Sequence, residues 1–556
     1  MAEPSPPSPP ESERPPSPFS VPVFRAVWIA NITTNFGTLI QSVGASWLMT
    51  SLTTSPTLIA LVQASTMAPV MLLALWAGAV ADNLDRRKVM LWAQGFMLVV
   101  STILAICAWQ ELLSPWLLLA FTFLIGAGTA FNGPAWQASV GEMVPRAALP
   151  AAVAYNSMGF NLARSLGPAI GGVIVAAAGA AAAFFANAFS YIGLIMVLSR
   201  WRPQLPPRLL PPERIGEAVG AGIRYVAMSP HLRAVMLRAT LFGLAAGALP
   251  ALTPLIARDH IAGGALTYGV LLGAFGLGAV AGALSSSRLR GSRSNEMIVR
   301  LATLAFAVGT AVSAISYILP ITIVAMMVAG AGWVLALSTF NITVQFASPR
   351  WVVGRALASY QMASSGGIAL GSWLFGGLAG AYGVDIALLI AAALQAAVAM
   401  VGLWRPLPEV QTLNLDPLSR WTEPQVAVSV EPRSGPIVVT IEYRIAATDI
   451  RAFLAVMAER RRIRIRDGAR HWALMRDLGE PDLWIERYHV ATWLEYVRHN
   501  QRRTHADAAN SDRVMALHKG PDKPRVHRMI ERQTGSLPIL YPPGVGDALT
   551  DPTQPG

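Results

Sequence analysis

The sequence predicts an all-α membrane protein of twelve transmembrane helices in two six-helix pseudo-repeats, with a small cytoplasmic α+β domain appended. Three observations predict it. The 556 residues are 53% hydrophobic and only 13% charged, too apolar for a soluble domain of this length. Apolar stretches lie near 27–50, 57–81, 89–110, 115–138, 148–178, 180–199, 233–256, 265–287, 297–318, 320–346, 352–380 and 384–404, each long enough to cross roughly 30 Å of hydrocarbon. Loop charge alternates: one set of connections carries seventeen Lys and Arg between Arg86 and Arg355, the other only Arg258. Positive charge stays on the cytoplasmic side of short loops, so both termini are expected there. The net charge of +12 follows from this topology and does not call for nucleic acid as a partner; the bilayer and a small-molecule substrate do.

Residues 1–22 are too rich in Pro and Ser to fold and lack the apolar core of a signal peptide, which predicts a disordered tail. The halves are expected at 23–200 and 233–405, separated by a proline-broken loop at 201–232 whose end is amphipathic. They look duplicated. Phe131, Asn132, Gln137, Pro145, Arg146, Tyr155, Gly171 and Gly172 recur as Phe340, Asn341, Gln345, Pro349, Arg350, Tyr360, Gly376 and Gly377, at offsets of 204 to 209 residues. After a linker at 406–435, charge returns and apolar runs become short. Strands near 436–445, 471–477, 483–490 and 524–531, with helices near 448–461, 492–503 and 505–518, predict a soluble α+β domain at 436–534 ahead of a loose tail at 535–556. The single cysteine, Cys107, excludes an internal disulfide, and the histidines show no metal spacing, so no cofactor or metal is implied.

Between the second and third apolar runs lies GAVADNLDRRK, residues 78–88. Gly78 allows close helix approach, Asp82 is placed to meet a facing helix end or an arginine, and Arg86 and Arg87 anchor the loop at the interface. An ion pair that forms in one conformation and breaks in another gives a conformational switch. In the fifth run, SLGPAIGG puts Gly167, Pro168, Gly171 and Gly172 on a small-residue surface that bends and packs tightly. Polar residues in lipid are costly and face the bundle interior, which makes Asn31, Asn35, Asn132, Trp136, Asn161, Asn341 and Gln345 candidates for a substrate path. Arg164 is the one charge deep inside an apolar run. It can bind an anionic group, such as a carboxylate or catecholate, or pair with Glu142. Glu142, Asp259 and His260 are the possible proton carriers, none of them near a helix centre.

The 78–88 motif, with Asn83 and Asp85 departing from its pattern, resembles that of the major facilitator superfamily, and SLGPAIGG is similar to its antiporter motif. The resemblance implies a secondary transporter whose first, fourth, seventh and tenth helices line a central path. It also implies export by alternating access, with proton antiport. The runs at 439–445, 453–469 and 483–500 resemble the small ferredoxin-like domains related to antibiotic-biosynthesis monooxygenases, found as an extension in the transmembrane secretion effectors, a subgroup related to the enterobactin exporter. That implies a bacterial inner-membrane exporter of a siderophore or drug-like metabolite, with a C-terminal domain of a kind that is either enzymatic without a metal or serves homodimerisation and regulation. No nucleophile and base pair calls for the enzyme, so assembly or regulation and no enzyme activity are expected. An importer of the same fold and a membrane-tethered enzyme or sensor are the alternatives.

Overall fold

The computed structural model describes residues 17–202, 215–349, 351–408, 414, 415, 418, 421, 423, 424 and 426–531. They form two compact units. The first holds residues up to 215, 236–340 and 360–406; the second holds 216–235, 341–359 and the chain from 407.

The first unit is a helix bundle: α1 (Pro22–Leu52), α2 (Pro56–Asn83), α3 (Arg86–Trp109), α4 (Pro115–Met143) and the long run α5 (Leu149–Arg200) make its first part. Starts are encoded locally. Ser55 and Ser114 accept from the backbone N–H groups of Leu58 and Leu117 ahead of Pro56 and Pro115 at the first helical position, and Asp85 accepts from Arg87 and Lys88. The run α5 is far longer than a bilayer needs, and Gly179 breaks it with φ of +79°, a conformation that glycine alone adopts without strain. After α6 (Ile215–Met228) come α7 (Pro230–Ala246) and α8 (Ala248–Leu255), which join a π turn to make one span, Pro230–His260. Then follow α9 (Ala265–Ser292), α10 (Asn295–Ile315), α11 (Leu319–Phe346), α12 (Val353–Tyr382) and α13 (Val384–Trp404). Among the described residues nine helical runs are long and apolar enough to cross a membrane. The helix α1 falls outside that number because Asn31, Thr33, Thr34, Asn35, Thr38, Gln41 and Ser42 dilute its apolar character.

Residues 1–16 of the expected tail lie outside the described residues. For 17–22 the expectation of disorder is corrected: Pro18–Ser20 form a 3-10 turn, and the Phe19 ring packs 4.9 Å from Trp28 and 4.6 Å from Tyr155. An aromatic ring that buries itself on two helices offsets the local proline content. Buried polar groups in the bundle are bonded to one another. Asn187 donates to Gln41 and to the Tyr191 hydroxyl (3.0 Å), and the Ser101 hydroxyl meets Gln41 at 3.0 Å, tying α1, α3 and α5 together.

In the second unit, β1 (Ile437–Arg444), β2 (Arg470–Arg476), β3 (Leu483–Val490) and β4 (Val526–Ile530) form an antiparallel sheet in the order β2-β3-β1-β4. That is the order of a ferredoxin-like sheet. The helices α14 (Ile450–Arg466), α15 (Trp493–Gln501) and α16 (His505–Leu517) accompany it, and α16 begins with a full capping box from Thr504 and Asp507. Its core contains Ile437, Val439, Ile441, Tyr443, Phe453, Tyr488 and Trp493. The amphipathic end of the central loop is α6, and it groups with this unit; residues 203–214 lie outside the described residues.

Candidate functional site

Arg164 sits where α5 meets α9. Its guanidinium lies 5.8 Å from the ring centres of both Phe275 and Trp333, which belong to α9 and α11. Those rings are part of an aromatic cluster: Phe242 is 5.9 Å from Phe306 and 6.1 Å from Trp333, and Phe275 is 6.0 Å from Trp333. Among the described residues Arg164 has no carboxylate partner. The alternative in which Glu142 neutralises Arg164 is corrected, because Glu142 accepts from Arg86 at 2.6 Å. A cation left with aromatic faces alone is a ready receptor for an anionic group on an aromatic or apolar body.

The small residues of the fifth run serve two faces. A Cβ on Gly167 would meet Leu39 at 3.0 Å and one on Gly171 would meet the Ile40 Cα at 3.0 Å, so both pack on α1. Gly172 turns the other way, where a Cβ would lie 2.8 Å from the Gly269 Cα. Gly276 continues that seam about two turns further along, where a Cβ would lie 2.5 Å from the Ser165 Cα and 2.6 Å from the Arg164 carbonyl oxygen. Pro168 lies inside the same helix. Backbone approach this close carries Arg164 of α5 against the aromatic cluster of α7, α9, α10 and α11. Gly376 on α12 makes a similar approach to α2: a Cβ there would meet Thr57 Cα at 3.3 Å, and the Thr57 hydroxyl donates to the Gly376 carbonyl at 3.2 Å.

At the arginine-rich end, Arg86 donates to the Ala81 carbonyl (3.3 Å), the Ala138 carbonyl (3.1 Å) and Glu142, and so clamps the α2–α3 turn to α4. Arg87 donates to the last carbonyls of α5, Leu198 at 2.8 Å and Ser199 at 2.7 Å. Gly78 lies within α2; Asp82 is near its end, and its side chain lies outside the described residues. Glu142→Gln is expected to weaken this clamp by about 1.5–3 kcal/mol, read as faster tryptic cleavage at Arg86 to Lys88 in the solubilised protein. Unchanged cleavage would contradict the clamp.

The other candidates are placed as follows. Asn132 accepts from Gln94 at 3.1 Å, and the Trp136 indole donates to Asn156 at 3.2 Å. Asn31 is buried, while Asn35 and Asn161 are partly exposed. Asn341 and Gln345, in the second unit, bond each other at 2.5 Å. Asp259 is held by Arg258 (2.6 Å), and His260 meets Asp385 at 2.5 Å. Sequence reasoning missed a second clamp: Arg238, 1% exposed, bonds Glu296 at 2.9 Å and the Arg405 carbonyl at 3.2 Å. Its partners are 58 and 167 residues away, so the only local signal was an arginine near the start of an apolar run.

In the second unit Glu486 is fully buried on β3. Arg460 (2.7 Å), Arg464 (3.2 Å), the Tyr443 hydroxyl (2.9 Å) and the Trp472 indole (3.1 Å) all donate to it. Burial pushes a carboxyl up, but the two guanidinium groups outweigh it and hold Glu486 down to about 2. Burial, reinforced by Arg464, pushes His499 well below its ordinary value. The neutral ring accepts from Arg464 at 3.0 Å and donates to the Asp467 carbonyl at 3.2 Å.

Comparison with known proteins places these sites in a family context. The family described as "Transmembrane secretion effector" matches residues 14–534. The enterobactin exporter of Shigella boydii serotype 4 is 28% identical over 364 residues, covering 64% of this chain and 85% of that protein. The enterobactin exporter of Escherichia coli O139:H28 is 30% identical over 308 residues, 54% of this chain and 72% of its own length. Among solved structures, a bacterial homologue of the human lysosomal transporter Spinster, inward-facing and unoccupied, superposes with a TM-score of 0.55 at 14% identity over 70% of this chain and 96% of its own. The nucleoside transporter NupG gives 0.53 at 13% identity over 69% and 98%. At such identities the structures establish the fold alone.

Proposed function

The chain belongs to the transmembrane secretion effector family of the major facilitator superfamily, and on that premise we propose that it exports a small anionic organic molecule, a siderophore or drug-like metabolite, across the bacterial inner membrane. The observation that carries the reading is the unpaired Arg164 guanidinium over Phe275 and Trp333. Twelve crossings follow if α5 counts as two spans at Gly179 and the polar α1 and α12 cross with the rest. The arginine-rich loops and both termini then lie in the cytoplasm. Cross-half contacts such as Gly172 with Gly269, Thr57 with Gly376 and Arg258 with the Thr50 carbonyl (3.3 Å) lie toward the opposite end of the bundle. They support alternating access through a state closed on the outside. For proton antiport we favour His260 with Asp385 as the carrier pair, because Glu142 and Asp259 are already held by arginines. A thermal-stabilisation screen of catecholates and aromatic carboxylates tests the reading: stabilisation is expected in the wild type and not in Arg164→Ala. Equal stabilisation of both variants refutes the role of Arg164.

We assign the soluble domain a regulatory role on a separate observation. Arg502 lies 4.1 Å from the ring centre of Trp351, in the α11–α12 turn, and Trp351 meets Tyr225 of α6 edge-on at 5.4 Å. Arg466, held by Asp467 (2.8 Å) and Asp507 (2.9 Å), lies 5.1 Å from the same Tyr225 ring. The ladder grips α6, which leads into α7, and the turn that joins α11 to α12. Each cation–ring contact contributes about 0.5–2 kcal/mol. Trp351→Ala is expected to change the transport rate several-fold and leave cargo affinity unchanged; an altered affinity at an unaltered rate contradicts this role.

A further inference from the structure

On the helix side of the soluble domain's sheet, four guanidinium groups, Arg460, Arg464, Arg466 and Arg503, face three carboxylates. Glu486 is shared by Arg460 and Arg464, while Asp467 and Asp507 both bind Arg466. Arg503 is left over. Among the described residues no carboxylate lies within ion-pair distance of it, and its side-chain partner is the Ser511 hydroxyl at 2.7 Å. The same hydroxyl oxygen accepts from Arg460 at 3.4 Å, so the Ser511 proton is free to point elsewhere. His499 adds no charge, since both ring nitrogens are engaged in the neutral form.

These groups border one cavity of about 10 Å³, lined by Arg460, Arg464, His499, Arg503, Asn510 and Ser511, with Ile463, Asp467 and Asp507 completing the wall. That is room for a single atom-sized occupant. A water molecule would suit the buried, unpartnered Asn510 Oδ1, but it would leave the surplus charge of Arg503 in place. Charge decides between them, because the half-buried Arg503 guanidinium has no carboxylate of its own and a monovalent anion cancels its charge. We infer that this cavity is a binding site for one halide ion, chloride in the cell, held by Arg503, Arg460, Arg464 and the Ser511 hydroxyl. Two of its walls, Asp467 and Asp507, also hold Arg466 against Tyr225, so occupancy reaches the ladder that grips the transporter loops. The site is set by charge balance within the domain and stands apart from the export reading.

The test uses the full chain in detergent. At constant ionic strength the wild type is expected to unfold at a higher temperature in chloride than in gluconate, with saturation. It should also broaden the chloride-35 resonance in a way that bromide competes away. Arg503→Gln removes both effects, and Ser511→Ala, which keeps the charge network, weakens apparent chloride affinity about tenfold. Equal unfolding temperatures in the two salts, or undiminished broadening in Arg503→Gln, would mean that water alone fills the cavity and overturn the inference. If Arg503→Gln does not fold, Ser511→Ala decides: unchanged affinity in it sinks the site.

Discussion

Arg164→Ala is expected to lower cargo affinity by roughly 10- to 100-fold, and transport with it, while the protein folds and inserts normally. The magnitude follows from losing one charge-assisted hydrogen bond, worth about 1.5–3 kcal/mol, in a water-poor site. Folding is spared because Arg164 makes no ion pair whose removal would strand a partner among the described residues. Arg164→Lys should recover only part of the loss: an ammonium keeps the charge and loses the planar fork that stacks on Phe275 and Trp333. Equilibrium binding of a labelled catecholate to the purified variants reads the effect directly. An affinity within twofold of wild type would remove Arg164 from the cargo site.

The second large effect is expected in the soluble domain. Glu486→Gln strips the shared carboxylate from Arg460 and Arg464, leaving two buried cations without compensation, at a cost of about 3–5 kcal/mol. The domain should unfold well before the membrane bundle, as an early transition in Trp fluorescence. The same network sets an acid dependence. The depressed Glu486 carboxyl contributes stability above its unfolded value of roughly 4.3, lost as pH falls toward about 2. His499, buried neutral, is a base with a lowered value, so the unfolded chain takes up a proton first and stability falls as pH drops below about 6.5. Both signs agree. Domain stability should fall by about 1.4 kcal/mol per pH unit between pH 6 and 5, and His499→Gln should flatten that slope. A flat wild-type profile there would contradict the buried neutral ring.

How much of this was legible in the sequence depends on the range of the interaction. Hydrophobic runs, caps and alternating strands are local, which is why the strand expected at 483–490 lies at Leu483–Val490 and the helix expected near 505–518 at His505–Leu517. Arg164 could be singled out because a lone charge in an apolar run is costly wherever it points. Its aromatic neighbours could not, since Phe275 and Trp333 lie 111 and 169 positions further on in other helices. Glu142 illustrates the same limit. Its sequence context offered Arg164 as a partner, and only packing of the α2–α3 turn against α4 brings Arg86 to it instead. Small residues advertise a close helix approach without naming the partner, so Gly172 was visible and Gly269 was not.

Uptake into vesicles of known orientation tests the central claim most directly. Inside-out vesicles holding this protein, energised with an inward-acid proton gradient, are expected to accumulate a labelled catecholate or aromatic carboxylate, and vesicles holding Arg164→Ala are not. Accumulation in right-side-out vesicles alone, or equal accumulation by both variants, would contradict an exporter whose cargo is bound by Arg164.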